Sequence, residues 1–282
     1  MTVRVRFAPS PTGYLHIGNI RTVVYDWLFA KKHDGKMVLR IEDTDQTRYV
    51  PDAVKFIKDS IHWLGMDWDE GPDVGGPYGP YTQSERLDIY KEKAEELVEN
   101  GHAYRCDCSP ERLERVREAQ RALGKPPMYD GHCRNRPPGE VSPDKPHVIR
   151  LKVPEEGETI VTDLLRDEVA FENKLIDDQV LLKSDGFPTY HLAVVVDDHL
   201  MKISHVLRGD DWLPSAPKHI LLYDAFGWEP PVFVHVPLVM GEDGKKLSKR
   251  HGAVSVEDFR KQGYVPEAVF NFLALLGWAP GE

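Results

Sequence analysis

Two short segments combine cations, glycine and an imidazole at spacings that suit phosphate chemistry. The first runs Arg6-Phe7-Ala8-Pro9-Ser10-Pro11-Thr12-Gly13 and continues to His16-Ile17-Gly18-Asn19. Val3 to Phe7 reads as a strand. Ile20, Val23, Val24, Trp27 and Leu28 then recur at helical spacing, with Gly35 as the terminator. The Pro/Gly loop between them leaves a strand end and feeds a helix N-terminus. Such a turn offers free N–H groups and the positive end of a helix dipole to a nucleotide's phosphates. Gly18 has no Cβ and lets a ring approach closely. His16 can donate to phosphate oxygens as charge develops on them. A His-x-Gly triplet alone is more often incidental.

The second segment is Gly241-Glu242-Asp243-Gly244-Lys245-Lys246-Leu247-Ser248-Lys249-Arg250. Two glycines loosen the loop, and lysines are point charges suited to phosphate. Cations closing over a leaving pyrophosphate stabilise the transition state more than the ground state. Read alone, the segment is a basic surface loop.

A third set lies at strand ends. Arg6 closes the first strand and can hold a carboxylate bidentately. Glu42 follows the second strand and can take an ammonium group. Arg208 follows a third. The plainer alternative is that Arg6 and Glu42 pair with each other.

These residues need elements to hold them. Met37 to Ile41 is a second apolar strand, so strand, helix and strand form a βαβ unit with a parallel sheet. Pro51 suits the first turn of a helix carrying Val54, Ile57 and Ile61. Residues 71–80 are Gly/Pro-rich loop. A helix after Ser84 buries Leu87, Tyr90, Ala94 and Leu97 and ends at Gly101. Ser109-Pro110 opens a polar helix that stops near Gly124, and residues 126–146 are irregular. Four short strands follow, at 148–153, 159–162, 169–171 and 180–183. The α/β pattern returns with a strand at 203–207, a helix through 219–226 and a strand at 232–236. The simplest account is a parallel α/β domain interrupted by a more antiparallel module.

The string Ala8-Pro-Ser-Pro-Thr-Gly-Tyr-Leu-His-Ile-Gly-Asn19 resembles the HIGH signature of class I aminoacyl-tRNA synthetases, in the form used by the glutamate and glutamine enzymes. Position 19 is Asn where the signature's second His stands. Lys246-Leu-Ser-Lys249-Arg resembles the KMSKS motif of the same class. The likeness extends through Arg40-Ile-Glu-Asp-Thr-Asp45, Pro188-Thr-Tyr-His-Leu-Ala193, Val196-Asp-Asp-His-Leu-Met201 and His205-Val-Leu-Arg-Gly-Asp-Asp-Trp212. It implies a Rossmann-type sheet over residues 1–83 and 189–240, an inserted α+β acceptor-binding module at 84–188, and the KMSKS loop with the start of a helical stem-contact region at 241–282. It also implies roles. His16, Gly18, Asn19, Lys246, Ser248 and Lys249 would serve catalysis. Pro9, Ser10, Thr12, Gly13 and Trp212 would join His16, Gly18 and Lys249 around ATP. Arg6, Ala8, Ser10, Tyr190 and Arg208 would line a glutamate pocket, with Glu42 on the ammonium. One departure is Val194, where the family usually has Asn; an apolar side chain cannot supply that hydrogen bond.

The implied reaction joins L-glutamate to tRNA(Glu), with ATP and Mg2+ consumed as substrate. The expected partners are the tRNA acceptor end, glutamate and ATP, with no membrane and a monomeric state. Cys106-x-Cys108, Tyr129 and Cys133 resemble a zinc knuckle that some members carry in the inserted module. The family's His slot is Asn135 here, so Tyr129 or His132 would complete a tetrahedron. Free buried thiols are the alternative. Val254–Phe259 and Pro266–Leu276 are expected to open the stem-contact region. The chain then stops, where full-length glutamyl enzymes continue, and its ragged end suits a cut within a longer protein.

The bulk composition agrees with an ordinary soluble globular protein: 41% hydrophobic and 29% charged residues. No apolar run approaches the roughly 18–20 residues that span a bilayer. The three cysteines are an odd number, which favours a reducing, cytoplasmic setting over a disulfide scaffold. A net charge of −10 does not suggest a nucleic-acid binder, but residues 105–136 hold eight Lys/Arg against five Asp/Glu. A glutamyl-queuosine tRNA(Asp) synthetase, which lacks the anticodon domain, is the closest rival. A HIGH-type nucleotidyltransferase acting on a small molecule and a non-catalytic paralogue are more remote.

Overall fold

The computed structural model describes residues 2–13, 15–137, 139–241, 243–244, 247 and 255–278. Strand β1 (Arg4–Phe7) runs parallel to β2 (Lys36–Leu39), in register from Arg4 opposite Lys36 to Phe7 opposite Leu39. Helix α1 (Ile17–Lys32) makes the crossover. Its buried positions Ile17, Ile20, Val23, Val24 and Ala30 form the stripe that covers these strands. Helix α2 (Ala53–Trp63) packs Ile57 and Ile61 into the same core. Pro51 is not in its first turn: Asp52 caps the helix at φ 64, and Pro51 precedes the cap.

On the other side of β1 lies β8 (His205–Gly209), where the Ser204 N–H donates to the Arg4 carbonyl at 2.9 Å. Strand β9 (Val232–Val236) extends the parallel layer, with His205 opposite Val232 and Gly209 opposite Val236. Helices α5 (Tyr190–Leu200) and α6 (Ala216–Phe226) pack on each other in a second core cluster. Helix α5 has no counterpart in the sequence reading. Residues 192–198 are all buried, so it lacks the polar face that makes a helix periodic.

The intervening segment contributes α3 (Leu87–Glu99), β3 (Ala103–Cys106), α4 (Pro110–Ala122), β4 (Val148–Leu151) and the hairpin β5 (Glu158–Asp163) and β6 (Asp167–Glu172), then β7 (Val180–Leu182). The order β3-β4-β7 is antiparallel. The Ser109 side chain accepts from the Arg112 N–H at 3.3 Å and Pro110 opens α4, as the Ser-Pro pair requires. The β5–β6 hairpin reaches back to the parallel layer, pairing Asp163 with Phe233 of β9. Helices α7 (Val256–Lys261) and α8 (Pro266–Leu275) follow, and α8 leans on α1 with Trp27 and Phe270 edge to face at 5.9 Å. Among the described residues no helix is long and apolar enough to cross a membrane.

Candidate functional site

The carboxyl ends of β1, β2 and β8 and the N-terminus of α1 surround one cavity of about 440 Å3. The loop after β1 contributes Ala8, Pro9, Ser10, Thr12 and Gly13, and α1 contributes Gly18 and Asn19, with His16 just before it. Gly13 sits at φ 133, a conformation that only glycine adopts without strain. Arg6, Glu42, Tyr190, Arg208 and Trp212 complete the set of expected residues that line the cavity. Val194 does not line it: the side chain is buried in the core of α5. Lys246, Ser248 and Lys249 lie outside the described residues. The described Leu247 lines the cavity, its N–H donating to the Val239 carbonyl at 2.9 Å, and Ser255 bridges His16.

His16 has a structural task as well as a chemical one. It is the N-cap of α1, and its Nδ1 accepts the Gly18 N–H at 3.2 Å. In the neutral ring the proton is therefore on Nε2, a donor suited to a phosphate oxygen. A Cβ added at Gly18 would meet only His16 Nδ1, at 3.7 Å. The packing thus leaves room for a side chain there, and what glycine preserves is open approach to the helix end.

The strand-end charges do not pair as the simplest reading holds. Arg6 pairs with Asp198 at 3.2 Å, and Glu42 accepts from Arg40 at 3.0 Å. Arg40 also meets Asp198 at 2.8 Å and Asp197 at 3.6 Å. Asp197 in turn takes Arg86 at 2.7 Å, the Tyr90 hydroxyl at 2.8 Å and Gln83 at 2.9 Å. All of these groups are buried. Burial pushes the Glu42 carboxyl upward, and Arg40 and Arg6 oppose that shift. Asp26, on the cavity-facing side of α1, is 0% exposed, and among the described residues neither of its oxygens has a hydrogen-bond partner. Burial pushes its carboxyl well above the usual range, with Arg6 opposing and Asp198 reinforcing.

Arg208 is different. Its Nε donates to His235 Nε2 at 2.9 Å. One terminal nitrogen faces His219 Nδ1 at 3.2 Å and the Tyr190 hydroxyl at 3.3 Å. The other terminal nitrogen is buried without a hydrogen-bond partner among the described residues. Among the described residues no carboxylate pairs directly with this guanidinium, and Asp198 acts on its charge only from a distance. Sequence reasoning missed Asp26, Asp198, His219 and His235. The Asp197-Asp198 pair inside an apolar run was the one available signal.

Away from the cavity, Cys106, Cys108 and Cys133 place their sulfurs within 4.8 Å of one another. The Tyr129 hydroxyl lies 3.3 Å from Cys106 Sγ and 3.5 Å from Cys108 Sγ. Burial pushes the Cys133 thiol up to about 12, a state that a bound cation would reverse. His132 instead meets Arg136 at 2.9 Å and does not join the group. The arginines of this module are largely paired on the protein itself: Arg112 with Asp130, Arg121 with Glu114, Arg134 with Asp178.

The family model for the catalytic domain of class I tRNA synthetases (E and Q) matches residues 2–282. The chain is 58% identical over 277 residues to a glutamate–tRNA ligase of Dehalococcoides mccartyi, covering 98% of this chain and 56% of that protein. It is 54% identical to the glutamate–tRNA ligase of Clostridioides difficile, covering all of this chain and 60% of that protein. The crystal structure of a glutamate tRNA ligase from Elizabethkingia meningosepticum, in complex with its amino acid, superposes with a TM-score of 0.94 at 44% identity, over 99% of this chain and 62% of the other. The chain thus spans little more than half the length of the curated relatives it matches. With the phosphate-ready turn, the strand-end charges and this match in agreement, the chain belongs to the class I tRNA synthetases of the glutamate and glutamine group, over their catalytic domain.

Proposed function

We propose that this chain activates L-glutamate with ATP and passes the glutamyl group to the 3′ end of tRNA(Glu). The observation that carries this reading is Arg208, a buried cation with one unpartnered nitrogen at the cavity wall and no carboxylate partner among the described residues. A ligand with two carboxylates and one ammonium matches a site that offers Arg208, the Arg6–Asp198 pair and Glu42. The α-carboxylate must face the α1 N-terminus, where ATP phosphates bind, so the side-chain carboxylate is directed to Arg208.

In the first step the α-carboxylate oxygen attacks the α-phosphorus of Mg-ATP, and the bond to pyrophosphate breaks. The α1 N–H groups and His16 Nε2 stabilise charge on the phosphate oxygens, and Lys246 and Lys249 are assigned to the leaving pyrophosphate. Trp212 packs tilted against Tyr190, with ring centroids 4.6 Å apart, and is assigned to the nucleotide side. In the second step a ribose hydroxyl attacks the acyl carbon and AMP leaves. Positioning supplies the catalysis, without a covalent enzyme intermediate. The segment 84–188 is assigned to the tRNA acceptor end, through backbone and shape contacts. Cys106, Cys108 and Cys133, with Tyr129 beside them, would hold a zinc ion as a structural tie. Such an ion would fix the β3 end against the loop carrying Tyr129.

The test is glutamate-dependent ATP–pyrophosphate exchange, with and without tRNA(Glu). Exchange that requires tRNA(Glu) supports the reading. Exchange without tRNA, together with transfer to tRNA(Asp), would replace it with the queuosine-modifying rival.

A further inference from the structure

The groups around Arg208 form one hydrogen-bonded chain. Asp163 Oδ2 lies 2.6 Å from His235 Nδ1, and His235 Nε2 accepts from Arg208 Nε at 2.9 Å. On the far side, Arg208 donates to His219 Nδ1 at 3.2 Å, and His219 Nε2 meets His191 Nδ1 at 3.1 Å. Arginine has donors only, so each histidine must present a lone pair to it. That fixes His235 with its proton on Nδ1, given to Asp163. It fixes His219 with its proton on Nε2, given to His191. The Asp163 contact is therefore a bond from a neutral ring, not an ion pair. Asp163, His219 and His235 are at most 2% exposed, so these bonds lie away from bulk solvent.

A buried guanidinium is ordinarily met by a carboxylate. Here two imidazoles and the Tyr190 hydroxyl satisfy its geometry and leave its charge in place. We propose that His235 and His219 are positioning and specificity-determining residues, which hold Arg208 as neutral acceptors of fixed tautomer so that the cavity takes an acid side chain over the matching amide. The inference rests on the glutamate reading of the cavity for its ligand, and on hydrogen-bond geometry for the clamp. Its logic is exclusion: a carboxylate at either histidine position would neutralise Arg208 and remove the reason to prefer an anion. Burial, first, and Arg208 act in the same sense, holding His235 down to about 4 and His219 well below its ordinary value.

The experiment has two arms on the full chain. Long-range 1H–15N NMR of histidine-labelled protein, assigned with His235→Gln and His219→Gln, reads the tautomers at pH 6 without any ligand. The expected result is Nδ1–H for His235 and Nε2–H for His219. A doubly protonated ring or the reverse tautomer at either position overturns the proposal. The second arm titrates glutamate and glutamine into wild type, His235→Gln and His235→Glu. Gln keeps an acceptor for Arg208 and a donor for Asp163, and should hold glutamate affinity within about 3-fold of wild type. Glu should cost glutamate roughly 100-fold while changing glutamine less than about 3-fold. Equal losses for both ligands would mean a merely structural role. Wild type that binds neither amino acid would sink the glutamate reading, and the NMR arm would still decide the clamp.

Discussion

Asp26 shows how much a single carboxyl can matter in a dry site. Both oxygens are buried and without a hydrogen-bond partner among the described residues, and Arg6, whose charge acts on it, is already committed to Asp198. Its folded-state pKa is raised. The associated stability is therefore fully present below the unfolded value near 4 and is lost as pH rises through the folded one. Asp26→Asn keeps the shape and cannot ionise. The expected outcome is a gain of about 1–3 kcal/mol at pH 7.5, the scale of an unpartnered buried polar group. Near pH 4 the gain should vanish, because both side chains are then neutral. Urea denaturation at the two pH values checks this, and an equal effect at both would remove the protonated carboxyl from the account. The Gly18 and His16 spacing was legible in the sequence because it is local. The Asp26 environment was not, because it is set by Arg6 and Asp198, which are distant along the chain.

Among the elements, α5 marks where sequence reading stopped. Its Val194-Val195-Val196 run has low helix propensity and no polar stripe, so neither signal points to a helix. Burial on all sides, between α3 and α6, overrides propensity. By contrast, α4 and the β1–α1–β2 unit carry Ser-Pro, Gly and periodic signals that act within a few residues, and these were read correctly. Helix α5 also carries Asp197, the node that ties β2 through Arg40 and the start of α3 through Arg86 and Tyr90. Asp197→Ala would leave Arg86 buried without its carboxylate, while Arg40 keeps Asp198 and Glu42. A loss of about 3–5 kcal/mol follows from breaking such a set from one side. Asp197→Asn retains acceptors and should lose less. A denaturant series reads both, and a loss below about 1 kcal/mol for the alanine variant would show that water reaches the cluster.

At the level of the whole molecule, two hydrophobic clusters meet along β8 and β9, and the histidines sit at that seam. Leu207 and Val234 face one cluster while Val206 and Phe233 face the other. Arg208 and His235, opposite each other in the β8–β9 register, lie on the Val206 and Phe233 side, where Arg208 sits over the Phe233 ring at 5.2 Å. A depressed histidine couples this seam to pH. His235 falls to about 4 and His191 to about 3, mainly by burial. The unfolded chain titrates near 6.5, so the stability these rings contribute is present above that value and is lost as pH falls through the folded values. For His235 the contribution is on the order of 3 kcal/mol at neutral pH. Asp26 and Glu42, both raised, act with the opposite sign, so a bare melting curve mixes the two. The difference between wild type and His235→Gln isolates one ring. That difference, measured by thermal denaturation between pH 7.5 and 4, should shift steadily against wild type below pH 6.5. A difference independent of pH would mean that His235 titrates in the folded protein as it does in the unfolded chain, and so becomes charged below about 6.5. Arg208 would then lose the acceptor that keeps it in place.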